Sequence, residues 1–161
     1  MSRLVGDELP DDLYARLRGE DLESHAEKAI LICTVDANGW AHPAMLSYFE
    51  VVAKDRRNIR LATYKDSTTT NNMRRNGRLT ILIMDERVAY YIKGHVEELR
   101  KSMNCSPQNS KLNLHVDEVL ADDADQQFEA GAYVTSGVTY KNPNRAAEES
   151  KAREILRELL E

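Results

Sequence analysis

The spacing of apolar residues divides the chain into a helical start, a long middle of strands and a helical end. Leu9, Leu13, Leu17 and Leu22 sit among acids at helical intervals, so the N-terminal segment 1–28 is expected to hold one or two helical turns packed on something larger. An apolar run, Ile30 to Val35, then meets Asp36-Ala37-Asn38-Gly39. Asn38-Gly39 is the dipeptide of a tight hairpin because both residues tolerate positive φ. A return strand is expected over 44–53, a polar turn at Asp55–Asn58, and a third strand with Ile59, Leu61 and Thr63 on one face. Residues 79–85 are apolar on both faces, as a barrel wall would be. Val88, Tyr90, Ile92 and Val96 share a face of the next strand, and Leu112, Leu114 and Val116 a face of the one after. Residues 132–141 alternate again and predict a further strand. Residues 103–110 read as loop, and 121–131 are too polar and short to assign. At 142–161 an Asn-Pro start precedes Ile155, Leu156, Leu159 and Leu160 at helical spacing. The pattern predicts a single domain over 1–161, six or seven antiparallel strands in a small barrel or sandwich with flanking helices.

One helical insertion interrupts the strands. Between 59–64 and 79–85 lies Asp66-Ser67-Thr68-Thr69-Thr70, then Asn72, Met73, Arg74 and Arg75, closed by Asn76-Gly77. Asp66 or Ser67 is placed to cap a helix of about two turns, and Asn76-Gly77 to stop it. A helix needs one cap, yet four hydroxyls crowd this one. A helix N-terminus offers unpaired N–H groups and a partial positive charge, and hydroxyls there can donate to phosphate oxygens. The competing reading is an ordinary hydroxyl-rich helix start, with Arg74, Arg75 and Arg78 as a solvated face.

Charge and cysteine content narrow the partners. A formal net charge of −5 over 161 residues argues against nucleic acid, whose phosphates need a basic face. No apolar run approaches the ~20 residues that span a bilayer, and no secretory apolar core opens the chain. Cys33 and Cys105 lack metal-like spacing and read as thiols of a reducing compartment. The expectation is a cytoplasmic protein without nucleic-acid or membrane partners. His25, His42, His95 and His115 show no metal-ligand spacing, and no nucleophile elbow or phosphate-binding glycine loop occurs.

Residues 33–99 resemble the FMN-binding split β-barrel family, the pyridoxamine 5′-phosphate oxidase-like proteins. The resemblance rests on the order of "CTVDANGWAHP", a strand ending in "LAT", a helix with Ser67 and "NMRRN" before "RLTILI", and a strand ending in "IKGHVEEL". It implies a mainly β (α+β) fold, an antiparallel split β-barrel with flanking helices, forming a homodimer with FMN in the cleft between subunits. Met45, Leu46, Ser47 and Tyr48 would run beneath the isoalloxazine and ribityl chain, Ala62 and Thr63 would contact the cofactor, and Ser67, Thr68 and Thr69 would hold the phosphate with Asn72 supporting the helix. Trp40 and Tyr48 are candidates to stack on the flavin and to border the substrate's entry.

The sequence departs from the family in its C-terminal helix, which lacks the arginine-rich flavin-binding end of the true oxidases, and at four further places. Thr68-Thr69 stands where members often carry an arginine-lysine pair, Ala44 where the closest oxidases have arginine, Ala89 where a glutamine is expected, and Phe49 at the substrate lysine. Lys65 or Arg75 is the candidate replacement for the lost charge. The implied function is an FMN-dependent oxidoreductase on a small molecule, with NAD(P)H a candidate donor, and not a true pyridoxamine 5′-phosphate oxidase. The alternative is a non-catalytic holder of flavin, deazaflavin or haem.

Overall fold

The computed structural model describes residues 1–161. Eight strands form one antiparallel sheet: β1 (Ser2–Gly6), β2 (Ala29–Val35), β3 (Ala41–Ser47), β4 (Val51–Ala53), β5 (Asn58–Tyr64), β6 (Arg78–Asp85), β7 (Val88–Arg100) and β8 (Asn109–Asp122). Three helices flank it, α1 (Asp11–Leu17), α2 (Thr68–Asn76) and α3 (Arg145–Leu160). Strand order runs β3-β2-β6-β7-β8-β5-β4, with β1 paired to the far end of β8. The two ends of that path, β3 and β4, are joined by only Tyr48-Phe49-Glu50, so the sheet curls back on itself as a split barrel. Ile30, Ile32, Ile59, Leu61, Ile81, Ile92 and Leu114 fill the interior. Leu9, Leu13 and Leu17 close one opening, and Leu156 and Leu159 of α3 pack outside β4 and β5.

The expected return strand 44–53 is two strands, because a side chain competes with the ladder at its centre. Glu50 Oε2 accepts bonds from the Ser47 amide and hydroxyl, both at 2.8 Å, and the Glu50 amide donates back to Ser47 O at 3.0 Å. This corner turns Tyr48 and Phe49 into the interior. The hairpin at Asp36–Trp40 forms where expected, but its turn is made differently. Only Gly39 takes a positive φ (84°), and the Asp36 carboxylate organises the turn by accepting from the amides of Asn38 and Trp40 at 2.8 and 2.9 Å.

The strand expected over 132–141 does not form. Both sides of β2 are already paired, to β3 and β6, so the segment finds no free ladder beyond one bridge, Lys28 with Thr139. It instead straps across the barrel through Ala29 N–H to Val138 O and Arg87 N–H to Val134 O. Gly137 lies so close to Met84 that an added Cβ would stand 2.0 Å from the Met84 carbonyl oxygen. The N-terminal segment expected to be helical also contains a strand, β1, and its helix is the seven-residue α1 followed by a single 3-10 turn. No helix is long and apolar enough to cross a membrane.

Candidate functional site

α2 answers the question its four hydroxyls raise. Ser67 is the N-cap, accepting from the Thr70 amide at 3.2 Å. Thr70 does not cap. It is fully buried, and its Oγ1 donates to Tyr64 O at 2.8 Å and lies 2.6 Å from the Thr63 hydroxyl, tying the helix to the end of β5. Gly77, with φ of 65°, stops the helix as its amide reaches Met73 O. Two of the four hydroxyls are thus spent on the fold. Those of Thr68 and Thr69 have no partner in the chain, although only 7% of Thr69 is exposed. The N–H groups of Thr68 and Thr69 are likewise without an acceptor, as the first amides of any helix are. Two amides and two hydroxyls therefore remain uncommitted at one helix N-terminus.

Named contacts link this seat to the other candidate residues in a closed circuit. Asn72 is buried and donates through Nδ2 to Thr34 Oγ1 at 2.9 Å. Thr34 is the partner of His42 on β3 and donates to its carbonyl. From His42, β3 runs through Met45 and Leu46 to Ser47, which is held by Glu50; the Glu50 carbonyl accepts from the Ala62 amide at 2.9 Å. Ala62 precedes Thr63, which bonds Thr70. The fold thus brings the β3 stretch, the end of β5 and the start of α2 around one end of the barrel. Thr34, Glu50 and Thr70 complete that circuit and were not among the expected residues. The signal for Thr34 was there: a hydroxyl at a core-facing position of an otherwise apolar strand.

The side chains are not equally free. Met45 is 62% exposed and Thr68 is exposed, while Leu46, Ser47 and Ser67 are partly so. Ala62, Thr63 and Asn72 are buried. Tyr48 is 4% exposed, its ring lies 4.6 Å from that of His25, and its hydroxyl meets Arg16. Its ring is therefore turned away from any ligand on the outer side of β3, and only its backbone can border one. Trp40 is 74% exposed at the hairpin tip. Of the two cations expected to replace the missing charge, Arg75 is committed to Val35 O and Asn72 Oδ1 at 2.6 and 3.0 Å, whereas the Lys65 ammonium has no bond in the chain. Arg74 is clamped to Glu98, Lys65 O and Ser110, and the Glu98 bonds raise its pKa.

Burial, reinforced by Glu158, pushes the Cys105 thiol up to about 11, so it stays protonated and unreactive at neutral pH. No group of three or more His, Cys, Asp or Glu comes together that could hold a metal ion.

Residues 21–141 match the family described as pyridoxamine 5′-phosphate oxidase. The chain belongs to that family. It is 29% identical over 130 residues, 81% of either chain, to YclD of Bacillus subtilis (strain 168), a protein of uncharacterised function. Its fold is similar to that of a candidate pyridoxamine 5′-phosphate oxidase from Lactobacillus delbrueckii (TM-score 0.57, 15% identity, 74% of this chain and 98% of that one). It is also similar to an FMN-binding protein from Syntrophomonas wolfei (TM-score 0.52, 14% identity, 71% and 88%). At such identities the likeness concerns the fold: the antiparallel split β-barrel with flanking helices.

Proposed function

We propose that the chain binds FMN and acts as an FMN-dependent oxidoreductase on a small organic molecule, working as a homodimer. The observation that carries the cofactor reading is the uncommitted donor set of Thr68 and Thr69 at the N-terminus of α2, in a family of flavin-binding split barrels. A phosphate monoester needs several N–H and O–H donors around its oxygens, and this end of α2 supplies four without disturbing a bond. Ser67, Thr68 and Thr69 would hold the phosphate, with Lys65, two residues before the cap, an uncommitted cation. The backbone of Met45–Tyr48 would lie under the ring, and Ala62 and Thr63 would close the far side. FMN bound there would supply transfer of a hydride or electron pair at its ring. The protein's own part is to bind, orient and screen.

The dimer is proposed from the outer face of the sheet. Direct partners across the ladders line up Met45, Leu31, Leu82, Tyr91, Leu120 and Leu4 in one row over six strands. Ladder partners share a face, and Met45 and Leu4 at its ends are largely exposed. A second copy covering this row would remove it from water and enclose the exposed flank of β3. Sedimentation at micromolar concentration is expected to show a species of twice the 18.3 kDa chain mass; a clean monomer would overturn this part of the proposal.

The activity is tested on protein reconstituted with FMN. The expected result is a yellow protein bleached by NADH or NADPH under anaerobic conditions and recoloured by a quinone, nitroaromatic or oxygen. A second reading, a flavin, deazaflavin or haem holder without turnover, draws on the absence of the arginine-lysine pair at Thr68-Thr69. Tight FMN binding without electron transfer to any acceptor would establish it instead.

A further inference from the structure

A groove of about 370 Å³ opens between α3, the β3–β4 corner and the loop before β8, a size suited to a small organic molecule. It begins where the proposed cofactor cleft ends. Ser47 lies on its rim, and so does Tyr64, whose carbonyl receives the Ser67 amide and the Thr70 hydroxyl.

The groove is rich in uncommitted donors. Asn109 is only 3% exposed, and its side-chain carbonyl accepts from Ser106 Oγ at 2.9 Å. Its NH₂ has no partner in the chain and faces the groove. Arg145 reaches Ala26 O and the Tyr140 hydroxyl through a single nitrogen, Nη2, leaving Nε and Nη1 free. The Lys151 ammonium meets only Glu154, at 3.6 Å. Each of the two carboxylates in the lining is held through one oxygen, Oε2, and keeps Oε1 unbonded. Glu50 accepts twice from Ser47, and Glu148 accepts from Asn142 Nδ2 at 2.8 Å. Beside these donors, the edge of the buried Phe49, whose ring lies 5.2 Å beneath the Arg145 guanidinium, and Ile155 supply the apolar part of the lining. The free N–H donors of Arg145, Lys151 and Asn109 outnumber the two free oxygens of the lining carboxylates, which favours a small ligand carrying an anionic acceptor.

We propose that this groove is the substrate subsite of the flavin centre and takes a small organic carboxylic acid, with Arg145 and Lys151 on the carboxylate and Asn109 donating to one of its oxygens. The assignment rests on the flavin reading for its place beside the cofactor, and on the groove alone for its ligand.

Benzoate, with neutral benzamide as control, is the probe, titrated at millimolar concentration into ¹⁵N-labelled full-length protein. Benzoate should shift the side-chain amide resonances of Asn109 and bind more tightly than benzamide. Lys151→Gln, at an exposed position where the melting temperature is expected to hold, should weaken benzoate by about tenfold and leave benzamide unchanged. No shift at Asn109, or equal benzoate affinity in wild type and Lys151→Gln, would overturn the subsite even if FMN binds. FMN affinity measured in the same samples separates the two claims: benzoate binding without FMN binding would uphold the carboxylate site and overturn the flavin reading alone.

Discussion

Asp85→Ala is expected to destabilise the fold by about 3 kcal/mol and to lower its melting temperature by roughly 6–12 °C. Asp85 ends β6, and its Oδ2 accepts from Arg16 Nη1 at 2.9 Å and from the Lys28 ammonium, while Oδ1 accepts from the Glu86 amide at 2.9 Å. The three side chains are 10%, 19% and 33% exposed. Removing the carboxylate leaves two cations partly buried and unpaired, which costs more than the pair itself contributes. Their partial exposure places the effect at the lower end of the range for buried pairs. The contact also reaches the site, since Arg16 touches the Tyr48 hydroxyl at 3.5 Å and Tyr48 anchors the β3–β4 corner.

The same group sets an acid dependence. Burial raises the Asp85 pKa, but the bonds from Lys28 and Arg16 outweigh it and hold the carboxyl far below the usual range. A folded-state value below the unfolded value of about 3.9 gives stability that is present above that value and lost as pH falls toward the folded one. Wild type should therefore lose more stability than Asp85→Ala between pH 5 and pH 3, both read from urea denaturation. Equal melting temperatures and parallel acid profiles would sink this account of the cluster.

Replacing Thr68 and Thr69 together by alanine should weaken FMN binding by roughly tenfold or more and leave stability nearly unchanged. Hydrogen bonds to a charged acceptor contribute about 1.5–3 kcal/mol each, and half the total for two donors already exceeds the 1.4 kcal/mol of a tenfold change. Stability should hold because neither hydroxyl bonds anything in the folded chain. Ser67→Ala offers the contrast: it loses the cap to Thr70 and should cost about 1 kcal/mol of stability. Thr68→Arg, at the exposed one of the two positions, should tighten FMN by restoring a charge-assisted bond. If the double alanine variant melts several degrees lower yet binds FMN as wild type does, the hydroxyls belong to the fold alone.

Local pattern made most of the strand and helix order legible. The run at 30–35, the hairpin at Asn38-Gly39, the insertion capped by Ser67 and stopped by Gly77, and the α3 stripe are all sequence-local signals, and each element lies where its residues placed it. The failures have non-local causes. Residues 132–141 alternate like a strand, but whether they pair depended on a free edge, and β2 has none. β3 and β4 read as one strand because nothing in the alternation reveals that Glu50 folds back on Ser47. β1 is five residues long and takes its partner from residues 119–122 of β8, far along the chain.

The site divides the same way. The hydroxyl cluster was visible as a local excess, but which hydroxyls were spare was not. Thr70 proved to be bound to Thr63 and Tyr64, and Thr68 and Thr69 to be free, because β5 and α2 meet at that point. Tyr48 was a reasonable stacking candidate until the corner turned it against His25. The groove beside Ser47 draws on β3, β8 and α3 together, and no spacing within one segment could announce it.

The central claim, that the start of α2 is a phosphate seat, is tested most directly by titrating wild-type protein with FMN and with riboflavin, which differ only by the phosphate. The seat predicts FMN binding tighter by at least tenfold and on the order of a hundredfold. Equal affinities for the two would contradict it and leave the hydroxyls of α2 as parts of a helix start.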